Sequence, residues 1–177
     1  MSEERVISSE RPYDGRLISL RVDRVRLSNG HETAREVVEH PGAVGILAWD
    51  GERLALVSQW RHAAGGELLE IPAGTLEPDE EPAATARREL GEECGLSAAA
   101  WLRGPSFFTA PGFCTERLTL FLATELETAD AQRPEDEDLA LSWLTLPQAL
   151  AQIDDGRIVD AKSIAGILWL QRRLEAG

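Results

Sequence analysis

The hydrophobic pattern of this chain changes its period at Pro82, and this change constrains the fold more than any other feature. After Pro82, apolar residues recur at spacings of three and four, namely at Ala83, Ala86, Leu90 and Cys94. That spacing places an apolar stripe on one face of a helix, and Gly95 follows where a helix commonly ends. The pattern predicts one amphipathic helix of about three turns.

Upstream of Pro82 the apolar residues alternate with polar ones, as expected for β-strands. Asn29-Gly30 lies between two such segments, and this dipeptide favours the positive φ angles of a tight hairpin. Asp50-Gly51 separates two further apolar runs and predicts a second hairpin by the same argument. Two antiparallel pairs of strands are therefore expected before the helix.

Downstream of the helix, segment 106–113 has the composition of a loop, whereas segment 117–126 alternates as a strand. Another strand is predicted at 139–146, and two helical patterns separated by Asp155-Gly156 follow it. Strands on both sides of a central helix, with helices at the end of the chain, predict an α+β fold or a mixed-sheet sandwich.

Charge balance limits the partners of this protein. The 177 residues include 18 Lys and Arg against 31 Asp and Glu, so the formal net charge is −13. Affinity for nucleic acid depends mainly on basic side chains that neutralise phosphates, so we expect no nucleic acid partner. The length and the 43% content of apolar residues are those of one enzyme-sized domain.

Cysteine content and hydropathy indicate the compartment. Cys94 and Cys114 have no metal-ligand spacing and are too few for a disulfide framework, which fits a reducing environment. No apolar run reaches the length of a signal peptide core or of a membrane span. We therefore expect a cytoplasmic protein that does not enter a membrane.

Three glutamates of the predicted helix, Glu89, Glu92 and Glu93, point to one side, about a quarter turn from the apolar stripe. Like charges at these spacings destabilise a helix unless a cation lies among them. Arg87 and Arg88 supply two cations but cannot satisfy the whole cluster. Mg²⁺ can, because it takes oxygen ligands and is typically held by one or two carboxylates plus substrate phosphates. Spacing alone leaves open a metal site and a solvated acidic face.

These glutamates belong to a longer pattern. Five residues separate Gly74 from Glu80, and seven separate Glu80 from Arg88. The pattern then continues through Glu89, Leu90, Glu92, Glu93, Gly95 and Leu96. The pattern resembles the complete signature box of the Nudix hydrolases, with no position missing. The resemblance implies a Nudix-type α/β/α sandwich with a mixed β-sheet, preceded here by an N-terminal antiparallel β extension.

The resemblance also implies a role for each matching position. Glu92 and Glu93 match the usual ligands of Mg²⁺ or Mn²⁺, and Arg88 matches the arginine that orients the glutamates. The expected metal-site residues are Ala73 through its carbonyl, Glu80, Glu89, Glu92 and Glu93, and the expected catalytic group comprises Arg88, Glu89, Glu92 and Glu93. Such a site activates water and neutralises phosphate charge.

Residues outside the box resemble the ADP-ribose pyrophosphatase subgroup. Pro111 lies 15 residues past the end of the box and is followed by Gly112, and segment 58–74 resembles the subgroup's segment before the box. The resemblance implies that Arg61 contacts the diphosphate and that Glu116 contacts the terminal ribose. It also places Arg35 near the nucleotide and implies that Pro111 and Gly112 bind the substrate.

Two more expectations follow from the same resemblance. An acidic loop carries Glu135 and Glu137, either of which would act near the attacking water. Residues 1–40 would form a β extension that reaches across a homodimer, and residues 41–177 would form the hydrolase domain. The N-terminal strands offer only Tyr13 as an aromatic partner for a base, so the identity of the base is not specified.

The function expected from this resemblance is Mg²⁺-dependent hydrolysis of ADP-ribose to AMP and ribose 5-phosphate. Hydrolysis of another nucleoside diphosphate sugar, such as GDP-mannose or ADP-glucose, is the nearest alternative. A non-catalytic nucleotide sensor is an alternative of a different class.

Overall fold

The computed structural model describes residues 3–129 and 139–176, and Glu135 and Glu137 lie outside them. The chain divides into two units. The first comprises 1–42 and 108–117, and the second comprises 43–107 and 118–177.

The first unit is built on a three-stranded antiparallel sheet in the order β1-β2-β3. Its strands are β1 (Arg5–Asp14), β2 (Ser19–Arg26) and β3 (Glu32–Glu39). The turn between β2 and β3 places Gly30 at φ 84°, which confirms the hairpin predicted from Asn29-Gly30. Strand β1 was not among the predicted strands.

The second unit contains a mixed sheet in the order β7-β4-β9-β8 and an antiparallel sheet in the order β10-β5-β6. Strand β4 is parallel to β9 and antiparallel to β7. The strands are β4 (Ala43–Ala48), β5 (Arg53–Arg61), β6 (Gly66–Glu70), β7 (Ala73–Thr75), β8 (Leu96–Phe108), β9 (Arg117–Thr128) and β10 (Ala140–Thr145). The ends of β8 and β9 continue into the first unit.

Two sequence-based expectations about these strands are wrong. Asp50-Gly51 does form a turn, but β4 and β5 belong to different sheets, because β7 and β9 pair with the two edges of β4. A single bridge joins Trp49, the residue after β4, to Leu54 in β5. Segment 106–113 is not entirely a loop, since β8 extends to Phe108.

The helices are α1 (Pro82–Cys94), α2 (Leu146–Asp154) and α3 (Ala161–Glu175). Alternate residues of the central strands point to opposite faces: Ile46 lies in the core cluster under α1, whereas Leu47 lies in the cluster under α2 and α3. Helices on both faces of the sheets make the second unit an α/β/α sandwich, as expected. No helix in the described parts of the chain combines the length and the apolar character needed to cross a membrane.

Candidate active site

Helix α1 carries the acidic cluster, and both of its ends follow from the sequence. Pro82 occupies the first turn, where its missing N–H costs no hydrogen bond. Gly95 adopts the left-handed conformation, and its N–H donates to the carbonyls of Leu90 and Gly91. The helix, its apolar stripe and its glycine cap are therefore confirmed.

The apolar stripe of α1 holds the glutamates against the body of the unit. Ala86 and Leu90 are fully buried, and the neighbouring Glu89 and Glu93 are only 9% and 3% exposed. The side chain of Glu92 is more open, with 30% exposure. Charged groups are rarely so buried without partners, so the interpretation of a solvated acidic face does not hold for Glu89 and Glu93.

Arg88 is the cation at the centre of this cluster. Its Nη1 donates to Glu89 Oε1 at 2.7 Å and to Glu92 Oε2 at 3.0 Å, while Nε and Nη2 donate to both oxygens of Glu80 at 3.1 and 3.0 Å. The hydrogen bonds to Glu80, with those to Glu89 and Glu92, raise the pKa of Arg88. Arg88 thus orients three of the predicted metal-site carboxylates.

Strand β7 brings the main chain against the acidic helix. The N–H of Ala73 donates to Glu93 Oε2 at 2.8 Å. A Cβ at Gly74 would lie 1.9 Å from both Cδ and Oε1 of Glu89, so any larger residue at this position would displace the carboxylate of Glu89. Three residues of the predicted metal site, Ala73, Glu89 and Glu93, therefore lie together beside Gly74 of the box.

The donor set of this cluster fits a hard divalent cation. Carboxylate and main-chain carbonyl oxygens are the ligands that Mg²⁺ and Mn²⁺ prefer. Within residues 3–129 and 139–176, no three acidic, histidine or cysteine side chains converge as a metal cage. Since Arg88 holds Glu80, Glu89 and Glu92, a metal ion bound by these three carboxylates would require their side chains to rearrange.

The ion pair between Glu80 and Arg88 makes the metal-free protein sensitive to acid. The hydrogen bonds from Arg88 lower the pKa of Glu80 from 4.5 to about 2. Because the folded-state pKa is the lower one, the pair stabilises the fold fully above about pH 4.5 and loses its effect as the pH falls towards about 2. In chelator, we expect Glu80→Gln to reduce the free energy of unfolding at neutral pH, and the difference from wild type to shrink across this window. Denaturant unfolding of both proteins at several pH values measures this difference in the free energy of unfolding. A difference that does not change with pH would contradict the ion pair.

Arg61 lies in the second unit in a cluster that the sequence did not predict. Its guanidinium donates to Glu70, which also accepts from Lys162, and Lys162 donates to Asp160. Hydrogen bonding to Glu70 raises the pKa of Arg61, and the charges of Glu93 and Asp160 add to this effect. A single acid within the apolar run Leu68-Leu69-Glu70-Ile71 was the available signal, since a charge in such a run is buried only if it is paired.

The other predicted substrate-binding residues lie in the first unit. Arg35, Pro111 and Gly112 line a cavity of about 590 Å³ within that unit. Arg35 donates from Nε and Nη2 to the two carboxylate oxygens of Glu4, at 3.1 and 2.7 Å. Glu116 accepts a hydrogen bond from Thr109 Oγ1 at 2.5 Å.

An α/β/α sandwich with an acidic helix, an arginine that binds its carboxylates and a glycine strand beside it defines a Nudix-type protein. Sequence profiles agree: the NUDIX domain matches residues 39–166, and the nucleoside diphosphate sugar hydrolase N-terminal domain matches residues 4–38. The chain belongs to the Nudix family.

Individual relatives extend over nearly the whole chain. The ADP-ribose pyrophosphatase of Bacillus subtilis (strain 168) is 41% identical over 172 residues, covering 96% of this chain and 93% of the relative. The methanol dehydrogenase activator of Bacillus methanolicus is also 41% identical, over 174 residues, with the same coverage. A crystal structure described as an ADP compounds hydrolase superposes with a TM-score of 0.88, covering 98% of this chain and 95% of that one at 20% identity, which supports the fold.

Proposed function

We propose that this protein hydrolyses the diphosphate bond of ADP-ribose to AMP and ribose 5-phosphate, with Mg²⁺ or Mn²⁺ as cofactor. The observation that carries the proposal is the set of carboxylates around Arg88, with the main chain of Ala73 beside them. The B. subtilis relative, similar over almost its entire length, is named for this activity.

The chain's own residues account for the main requirements of this reaction. Glu92 and Glu93 would hold the metal, with support from Glu89, Glu80 and the carbonyl of Ala73, while Arg88 orients the carboxylates. When bound, the metal neutralises phosphate charge and activates water. The positive charges of the metal and of nearby arginines also offset the formal charge of −13, which would otherwise repel an anionic substrate.

Other residues are assigned to the diphosphate and to the two ends of the substrate. Arg61 suits the diphosphate, because a guanidinium donates paired hydrogen bonds to phosphate oxygens. Arg35, Glu116, Pro111 and Gly112 are assigned to the nucleotide and ribose ends. Glu135 or Glu137 remains the proposed acid near the attacking water.

The proposal extends to assembly and location. The division into an N-terminal extension of 1–40 and a hydrolase domain of 41–177 is supported by the separate N-terminal profile, and the proposal includes a homodimer in which this extension serves the partner's hydrolase domain. A cytoplasmic location fits the state of Cys94 and Cys114, since no disulfide joins them in the described structure. The negative net charge supports a small-molecule substrate over nucleic acid.

Two alternatives have specific support. The N-terminal profile is named for nucleoside diphosphate sugar hydrolases, a class whose substrates include GDP-mannose and ADP-glucose as well as ADP-ribose, so hydrolysis of one of the other two is the first alternative. The second is a non-catalytic nucleotide sensor, because one of the relatives is named as an activator of another enzyme. Both Bacillus relatives are 41% identical to this chain. Sequence identity therefore does not discriminate between a hydrolase and an activator.

A substrate panel tests the proposal. We expect the purified protein to release AMP and ribose 5-phosphate from ADP-ribose in Mg²⁺, faster than it hydrolyses ADP-glucose or GDP-mannose, and to lose this activity in chelator. Product chromatography gives the rates and identifies the products. Faster turnover of another diphosphate sugar would keep the reaction class and change the substrate. Binding of ADP-ribose without turnover would favour the sensor.

A further inference from the structure

Arg61 and Glu70 lie on the same face of the sheet that contains β5 and β6. Glu70 pairs with Val57 across these antiparallel strands, and Arg61 follows Val57 by four residues, so both side chains project to one side. Arg61 Nε donates to Glu70 Oε1 at 3.0 Å, and Nη2 donates to Oε2 at 2.6 Å. One edge of the planar guanidinium is therefore fixed by two parallel hydrogen bonds.

Glu70 is an anchor because it is buried and doubly paired. Its side chain is only 2% exposed, and Lys162 Nζ donates to its Oε2 at 2.5 Å. Burial by itself would raise the pKa of Glu70, but hydrogen bonds and charges from Arg61 and Lys162 outweigh it and lower the pKa. Glu70 is thus ionised at neutral pH and binds Arg61 as a carboxylate.

Lys162 is itself held in place by the start of helix α3. Its Nζ donates to Asp160 Oδ2 at 2.9 Å, and the same oxygen accepts the N–H of Ser163 as the N-cap of the helix. Ser163 Oγ in turn accepts the N–H of Ile71, next to Glu70. The anchor of Arg61 is therefore tied to the helix through two independent hydrogen bonds.

The opposite edge of the Arg61 guanidinium carries no such bonds. Nη1 makes no hydrogen bond to a described residue, and the side chain is 39% exposed. Arg61 also lies close enough to Glu93 for the two charges to interact, which places Arg61 near the acidic cluster. A guanidinium held by one edge can donate two further hydrogen bonds from the other.

We propose that Glu70 and Lys162 are positioning residues that fix the Nε–Nη2 edge of Arg61 so that its Nη1 edge receives the diphosphate of the substrate. The identity of the substrate in this proposal rests on the proposed function. The hydrogen-bond geometry of Arg61, Glu70 and Lys162 does not depend on it. Lys162 also donates to Glu70 Oε2, the oxygen that accepts from Arg61 Nη2, so it fixes the carboxylate that holds Arg61.

A purely structural role is the competing explanation, in which the cluster only ties α3 to β6. The two roles predict different behaviour when both partners become apolar. Replacing a buried ion pair by apolar side chains of similar size is often neutral for stability. The double variant Glu70→Met with Lys162→Met leaves neither member of this pair unpaired, so it should lose less stability than Glu70→Met alone, while Arg61 loses its anchor in both.

Steady-state kinetics with ADP-ribose and Mg²⁺, with thermal unfolding of each variant, separate these explanations. We expect Glu70→Gln and the double variant to raise KM about tenfold and to change kcat less than twofold, because binding contacts are lost. Lys162→Met should raise KM about threefold, and Lys162→Arg should restore it. In an Arg61→Lys background, Glu70→Gln should have no further effect on KM.

A matched control removes an ion pair elsewhere in the same unit. Arg53 Nη2 lies 3.0 Å from Asp50 Oδ2, and the double variant Asp50→Asn with Arg53→Met should leave KM unchanged. An unchanged KM in Glu70→Gln or in the double Met variant would overturn the proposal. So would a KM increase that is equally large in the Arg61→Lys background.

A second measurement does not depend on ADP-ribose being the substrate. In chelator, inorganic pyrophosphate is titrated into the wild-type protein and the NMR signal of the Arg61 Nε–H, assigned by its loss in Arg61→Lys, is followed. We expect a saturating shift whose midpoint moves to higher pyrophosphate in Lys162→Met. If wild type fails to hydrolyse ADP-ribose and this result holds, the proposed function fails and the positioning role stands. No shift in wild type would overturn the positioning role.

Discussion

Glu92→Gln and Glu93→Gln will each lower kcat for ADP-ribose by about 10²- to 10³-fold, the loss typical when one preorganised electrostatic contact to the transition state is removed. The amide keeps the shape of the carboxylate but gives up the charge that binds a divalent cation. Glu93 Oε accepts the N–H of Ala73, and a glutamine oxygen can still accept it. Stability should therefore change far less than the rate, as thermal unfolding in chelator will show.

Glu81→Gln is the matched control for these two variants. Glu81 lies in the same segment, directly before α1, but it is exposed and its side chain does not cap the helix. It should retain nearly full kcat. Near-full activity in either the Glu92 or the Glu93 variant would mean that the metal ligands are assigned wrongly.

Arg88→Met will lower the free energy of unfolding in chelator by about 2 kcal/mol, because it leaves partly buried carboxylates without their common cation. Glu80, Glu89 and Glu92 would then repel one another. Mg²⁺ should offset this repulsion, since a ligand that binds only the folded state stabilises it by mass action. The rise in melting temperature on adding Mg²⁺ should therefore be larger in Arg88→Met than in wild type.

Arg87→Met provides the comparison one residue away. Arg87 is exposed, donates to the carbonyl of Ala83 and lies over the ring of Trp101, so its loss should cost less than that of Arg88 and respond to Mg²⁺ as wild type does. Equal destabilisation of the two variants in chelator would contradict the central role given to Arg88.

Features that depend on near neighbours in the sequence were predictable. Helix α1 is specified by Pro82, by the spacing of Ala86 and Leu90 and by Gly95, all within a few turns. The hairpin at Asn29-Gly30 was predictable for the same reason. The acidic cluster could be inferred because helix geometry alone places Glu89 and Glu93 on one side.

Features that depend on distant partners were not predictable. Strand β1 is exposed along its whole length, so it lacks the alternation that marks a half-buried strand. The turn at Asp50-Gly51 suggested a hairpin because the sequence does not show that β9 pairs with β4. The contact between Glu70 and Lys162 joins residues 92 positions apart, and no local sequence pattern predicts it.

The separation between Glu70 and Lys162 in the sequence affects whether a gene fragment can be assigned an activity. A product that stops before α3 would contain the entire Nudix box and every acidic residue of the cluster, together with Arg61 and Glu70. It would lack Lys162 and the helix start that holds it. An intact motif in a truncated open reading frame is therefore weak evidence for activity, because the hydrogen bonds that fix Arg61 are completed only by helix α3, far downstream of the motif.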